Sequence, residues 1–163
     1  YIAVMPTNLY GPGDNYNLNT SHVIPALIRK MDDARRNAHD TVTLWGTGNP
    51  LREFLHADDL AEGCVTYALK PYEQLLRFPG FDRAPLVNIG CGEDLPIREL
   101  AELIRELSGF QGRIVWDTSK PDGTPRKLLD VSRIKSLGWA PRISLREGLK
   151  AEIENFRKGV EKV

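Results

Sequence analysis

The sequence predicts one compact domain of mixed strands and helices, of the α/β or α+β class. Three observations lead there. Short β-rich apolar runs alternate with longer stretches of helical period. Gly and Pro punctuate the junctions between them. The 163 residues are enough to bury a sizeable core without disulfides or metal, and leave little room for a second domain.

The elements follow in order. Residues 1–5 read as an apolar strand closed by Pro6, which removes a ladder donor. A polar, turn-rich loop spans 7–20, with Gly11-Pro12-Gly13-Asp14-Asn15 inside it. Ser21 is placed to cap a helix reaching about Arg36. Val23, Ala26, Leu27, Ile28 and Met31 supply its apolar positions, and Pro25 sits in its first turn, where a missing N–H costs little. Thr41 to Trp45 is a β-rich strand stopped by Gly46 and Gly48. Residues 52–56 give a second short strand, and Asp58 opens a helix to about Leu69. Residues 70–85 hold three prolines and no period, and read as irregular. Leu86 to Ile89 is a strand, 96–107 an amphipathic helix ended by Gly109, and 113–116 another strand. A charged, Pro- and Gly-rich loop covers 118–127. Helices at 132–137, stopped by Gly138, and at 144–158 close the chain.

Composition narrows the function classes. Apolar residues make up 41% and charged residues 27%, which excludes a disordered or fibrous chain. Lys plus Arg equals Asp plus Glu at 22 each, so no basic surplus draws a nucleic acid. No apolar run approaches the ~20 residues of a membrane span. Cys64 and Cys91 lie far apart without CxxC spacing and read as reduced thiols of a cytoplasmic-type protein. The chain opens inside a strand, without an initiator Met, so the natural polypeptide is expected to begin upstream.

Few residues stand out for chemistry. Gly90-Cys91-Gly92 follows a strand as a dinucleotide loop does, but the third glycine position holds Leu95 and Pro96 opens the helix. It fails the fingerprint and reads as a tight turn. Gly46-Thr47-Gly48 precedes no helix, and no P-loop occurs. His39 reads as solvated, and His56, ahead of Ala57-Asp58-Asp59, as a structural hydrogen-bonding group. His22 stands at a helix start after a long polar loop, a placement common for functional side chains. On the residues alone, both a catalytic and a solvated His22 stand. No His, Cys or carboxylate partner sits at metal spacing. Arg52, Lys120, Arg126 and Lys127 beside loop glycines suit a diphosphate, and a solvated charge cluster is the alternative. The sequon Asn19-Thr20-Ser21 is dismissed in a reduced-thiol setting.

The motifs taken in order resemble a known family. Met5-Pro6-Thr7-Asn8-Leu9-Tyr10-Gly11-Pro12, then Ser21-His22-Val23-Ile24-Pro25-Ala26-Leu27, Trp45-Gly46-Thr47-Gly48, Arg52-Glu53-Phe54-Leu55-His56, and Ser119-Lys120-Pro121-Asp122-Gly123-Thr124-Pro125-Arg126-Lys127 are similar to the GDP-L-fucose synthases. These enzymes belong to the extended short-chain dehydrogenase/reductase superfamily. The resemblance implies an α/β fold: a C-terminal nucleotide-sugar-binding domain with the last strands of an NADP-binding Rossmann domain, at about residues 1–20 and 41–70. The whole chain, 1–163, then forms one compact unit. It implies that the glycine-rich loop, the Tyr-x-x-x-Lys pair and the catalytic Cys and Ser lie upstream of Tyr1, so the chain alone is expected to be inactive.

The implied reaction epimerises GDP-4-keto-6-deoxy-D-mannose and reduces its ketone with NADPH, in a cytoplasmic homodimer without metal. His22 matches the acid/base histidine. Pro6, Thr7, Asn8 and Leu9, together with His22, match the lining of the nicotinamide end of NADP(H). Lys30, Trp45, Arg52, Asp122 and Lys127 match substrate-contacting positions. Lys30 stands where some members carry Arg, which exchanges a planar fork for a point charge. Cys91 replaces a Thr and is expected to face the core. The resemblance also leaves room for a GDP-mannose dehydratase, a UDP-sugar 4-epimerase or a non-catalytic nucleotide-sugar-binding module.

Overall fold

The structure is a computed structural model that describes residues 1–76 and 85–160. In chain order its elements are β1 (Ala3–Pro6), β2 (Asn8–Tyr10), α1 (Val23–Arg36), β3 (Thr41–Trp45), β4 (Leu51–Arg52), β5 (Phe54–His56), α2 (Ala57–Ala68), α3 (Tyr72–Leu75), β6 (Leu86–Ile89), β7 (Leu95–Pro96), α4 (Ile97–Ser108), β8 (Arg113–Asp117), β9 (Arg126–Lys127), α5 (Ser132–Ser136) and α6 (Leu145–Val160). Three strand pairs, β1 with β6, β2 with β5 and β3 with β8, are parallel. Parallel pairing through helical crossovers makes the class α/β rather than α+β. A smaller patch has β4 at its centre, antiparallel to β7 and parallel to β9.

The helices are amphipathic, and their buried faces define two cores. Ile24, Leu27, Ile28, Met31 and Ala34 of α1 meet Leu100, Ala101 and Ile104 of α4, Leu149, Ile153 and Phe156 of α6, and Val42 and Leu44 of β3. Leu55, Tyr67, Val87, Ile89, Ile134 and Trp139 form the second core beneath α2, β6 and α5. Gly109 ends α4 in the left-handed conformation, as its position predicts.

Several expectations need correction. Ser21 does not cap α1: His22 holds the N-cap position without a side-chain bond, and the Ser21 hydroxyl is buried without a partner. The loop at 7–20 contains β2, and the single strand at 52–56 is two, β4 and β5, interrupted at Glu53. The irregular stretch at 70–85 contains α3, and its residues 77–84 lie outside the described residues. The loop at 118–127 ends in β9. Strands of two or three residues carry no period, so only their pairing partners reveal them.

His56 takes the structural role expected of it. It is the N-cap of α2, and its Nδ1 accepts the Asp58 N–H at 3.2 Å. The carboxylate of Asp59, 2% exposed, accepts the N–H groups of Arg142 and Ile143, each at 3.0 Å, and so ties α2 to the segment before α6.

Asp32, 1% exposed, joins α1 to α6: Arg157 Nε bonds its Oδ1 at 2.7 Å, Arg35 Nη2 lies 3.1 Å from the same oxygen, and Arg36 Nε 3.0 Å from Oδ2. Burial raises the Asp32 carboxyl, and the bonds from Arg157 and Arg35 more than offset it, leaving it below the ordinary carboxylate value. A depressed folded pKa means the stabilisation is complete above the unfolded value near ~4, and is lost as pH falls through the lower folded value. Asp32→Asn should cost about 1–3 kcal/mol at neutral pH, since the partly exposed arginines recover water. Urea unfolding followed from neutral to acid pH checks this: the native chain should lose stability below about pH 4 and the variant lose less. Parallel profiles would disprove the linkage.

Candidate active site

Two adjoining cavities form where β2, β4 and β5 meet the N-terminus of α1. The larger, about 480 Å³, is lined by Thr7, Asn8, Leu9, His22, Val23, Ile24 and Phe54. The smaller, about 220 Å³, shares Asn8 and Val23 and adds Trp45, Gly48, Pro50, Arg52, Ile97, Pro121, Asp122 and Gly123. Thr7, Asn8, Leu9 and His22, assigned by resemblance to the cofactor end, therefore come together in one cavity. Trp45, Arg52 and Asp122, assigned to the substrate, come together in the next. Pro6 lies outside both linings, at the exposed end of β1 opposite Ile89.

The His22 imidazole is exposed at the cavity wall and has no hydrogen-bond partner among the described residues. Its backbone carbonyl accepts the Ala26 N–H at 3.1 Å, which fixes the residue at the helix start while leaving the ring available.

The second cavity is rimmed by cations. Lys30 Nζ stands 6.0 Å and Lys120 Nζ 5.9 Å from the centre of the Trp45 ring, which is 71% exposed. Lys30 donates to the Thr43 carbonyl at 3.3 Å, and burial pulls its ammonium below the usual lysine value. Lys127 does not line the cavity, but it pairs in register with Arg52 across β4 and β9, so the two side chains leave the same face of the patch. Arg52, Lys30 and Lys127 have no carboxylate partner among the described residues and Lys120 is attracted to Asp117 without a close ion pair, whereas Arg35, Arg36, Arg126, Arg142, Arg146 and Arg157 are each ion-paired. Cations left without close carboxylates around a cavity present a site for an anion.

Asp122 is committed within the protein. Its Oδ1 accepts the Thr47 N–H at 2.8 Å and its Oδ2 the Thr47 hydroxyl at 2.6 Å, and these bonds hold its carboxyl below the usual range. The carboxylate clips the loop after β8 onto the Gly46-Thr47-Gly48 turn. Gly46 has φ +80°, and a Cβ there would collide with Asp122 Oδ1, so this turn requires glycine. Thr47 in turn accepts from Arg98 Nη2 at 2.6 Å through its carbonyl.

Glu53 lines neither cavity, and sequence reasoning passed over it, but it is the buried carboxylate that braces the segments around them. It is 0% exposed, and its Oε1 accepts the Gly92 N–H at 2.6 Å while its Oε2 accepts the Leu129 N–H at 3.1 Å. Its backbone carbonyl accepts the Thr7 hydroxyl at 3.2 Å and Asn8 Nδ2 at 2.8 Å. The only available signal was a carboxylate between Arg52 and the apolar Phe54-Leu55, an unusual place for an unpaired charge. The Gly90-Cys91-Gly92 turn is thus an anion-binding turn whose anion is the protein's own carboxylate. Cys91 is half-buried, its thiol directed to the Glu93 carbonyl at 3.2 Å rather than into either core. Burial and the neighbouring Glu53 push that thiol up, away from an activated nucleophile. Cys64 and Cys91 are both free. Among the described residues no group of three His, Cys, Asp or Glu side chains is arranged for a metal ion, and no helix is long and apolar enough to cross a membrane.

Residues 1–76 match the NAD dependent epimerase/dehydratase family. The chain is 52% identical over 159 residues to GDP-L-fucose synthase 1 of Arabidopsis thaliana, covering 98% of this chain and 46% of that protein. It is 47% identical to GDP-L-fucose synthase of Escherichia coli strain K12, covering 96% of this chain and 48% of the relative. The structure of a GDP-L-fucose synthetase from Naegleria fowleri bound to NADP superposes with a TM-score of 0.84 at 27% identity, covering 99% of this chain and 48% of that one. In fold and sequence the chain is similar to extended short-chain dehydrogenase/reductases. Within them it is similar along nearly its whole length to the GDP-L-fucose synthases, and it spans about half the length of the relatives it matches.

Proposed function

We propose that this chain supplies the nucleotide-sugar-binding part of an NADPH-dependent epimerase-reductase converting GDP-4-keto-6-deoxy-D-mannose to GDP-L-fucose. The observation that carries the reading is the shared wall of the two cavities, Asn8 and Val23, with an unbonded imidazole on one side and cations without close carboxylate partners on the other. The diphosphate lies against Arg52 and Lys127, with Lys30 and Lys120 beside it. The exposed Trp45 ring offers a flat face to the nucleotide. The keto sugar then reaches across Asn8 and Val23 toward His22. A proton on the carbon next to a ketone is acidic, and His22 exchanges it as acid or base. Asp122 contributes by holding the loop and the Trp45–Gly48 turn in place.

The larger cavity fits the nicotinamide end of NADP(H): its walls of Leu9, Ile24 and Phe54 are apolar, with Thr7, Asn8 and His22 as the few polar groups. When bound there, the cofactor supplies hydride for the ketone.

The portion of the Rossmann domain in this chain comprises β1, β2, β5 and α2, within residues 1–20 and 41–70, together with β6, which pairs with β1. β3, also within 41–70, pairs in parallel with β8, and β6 with β1. Among the described residues β1 pairs on one side only, and Ile2 and Met5 are 39% and 50% exposed, a surface for the rest of the relatives' length to cover. A cytoplasmic homodimer completes the reading.

The test is GDP binding and turnover by a full-length enzyme carrying this sequence. Arg52→Lys should weaken GDP binding about tenfold, because the planar fork is lost while the charge remains, and calorimetry measures it. Turnover of a UDP-sugar in place of the GDP-keto sugar would overturn the assignment. The named sequence relatives do not favour that alternative.

A further inference from the structure

We propose that Glu53 is a positioning residue that sets the spacing of Arg52 and Lys127 for the diphosphate of the nucleotide sugar; this rests on the functional reading above. β4 is only two residues long, Leu51–Arg52, and carries one cation of the site. Its partners are equally short: β7 on one side and β9, with Lys127, on the other. Two-residue strands have too few ladder bonds to hold register alone. The bonds around this patch include Leu51 N–H to the Pro125 carbonyl at 2.8 Å and Ile97 N–H to the Pro50 carbonyl at 3.0 Å.

Glu53, the residue directly after β4, supplies what the ladder lacks. One carboxylate oxygen grips Gly92, three residues before β7, and the other grips Leu129, two residues after β9. A single buried carboxylate therefore spans both strands that flank Arg52. Charge-assisted bonds inside a dry site are strong and geometrically strict. The peptide carbonyl of the same residue holds Thr7 and Asn8, which line the cofactor cavity. The side chain braces the strands of the nucleotide-sugar cavity, while the main chain holds Thr7 of the cofactor cavity and Asn8 of the wall that the two share.

That division makes a selective test possible. In the full-length enzyme carrying this sequence, Glu53→Gln keeps the volume and the carbonyl but replaces one acceptor with a donor. Whichever of the Gly92 and Leu129 amides then faces the new NH2 group should exchange faster with solvent. The Kd for GDP should rise about tenfold or more, with NADPH affinity changed by less than about twofold. Glu53→Asp keeps the charge with a shorter reach, and should show the same split if the amide variant does not fold. GDP affinity unchanged in a folded variant overturns the role of Glu53. Equal weakening of GDP and NADPH overturns it too, because a purely structural residue would act on both. A native enzyme that binds NADPH but no GDP overturns the functional reading itself, a result distinguishable from either.

Discussion

Replacing His22 with asparagine in a full-length enzyme of this sequence should slow proton exchange at the epimerised carbons by about 10²–10⁴-fold, the usual contribution of a positioned acid or base. Ketone reduction, followed by NADPH oxidation with an already epimerised keto sugar, should fall far less. The reason is the placement of the ring. It stands at the start of α1 on the wall of the larger cavity, with no hydrogen bond among the described residues to occupy either nitrogen. Asparagine retains polarity and helix-start preference, so α1 itself should be unharmed. Isotope exchange into the substrate separates the steps. Equal loss of exchange and reduction would show that His22 serves binding alone.

The second large effect concerns stability and needs no assumption about substrate. Gly90→Ala should destabilise the chain by about 2–3 kcal/mol, measured by denaturant unfolding, because an added methyl has nowhere to go in a closely packed interior. Gly90 is buried, and a Cβ there would collide with Glu53 Oε1 and crowd the rest of that carboxylate. The obstruction is a fully buried charged group held by Gly92 and Leu129, which cannot swing aside without abandoning both bonds. Gly159→Ala is the control, since a Cβ at that position meets nothing within 4 Å. Equal stability of the two variants would mean that the Glu53 pocket yields more readily than its bonds imply.

The two predictions differ in how far sequence reasoning reaches toward them. His22 was accessible as a histidine at a helix start, and only the resemblance raised it above a solvated side chain. Trp45, Arg52 and Asp122 were accessible in the same way, and the structure gathers them around one cavity. Asp122 nonetheless does different work from a free contact, since Thr47 engages both of its oxygens. Nothing in the spacing of residues 47 and 122 announces that pairing. Glu53 was missed for the same reason: its partners lie 39 and 76 residues away along the chain.

The amino-acid sequence by itself determined the longer elements, including α1, α4, α6 and β3, because their apolar periods and glycine stops are local properties that neighbours seldom override. It also determined that His56 would be structural, since a histidine just before an acidic helix start has an N–H to accept. Tertiary structure alone decided the two-residue strands β4, β7 and β9, the parallel pairings, and the convergence of Asn8, His22 and Arg52 on adjoining cavities. Those features depend on hydrogen bonds and burial between segments distant in the chain, and such bonds leave no periodic trace in the order of residues.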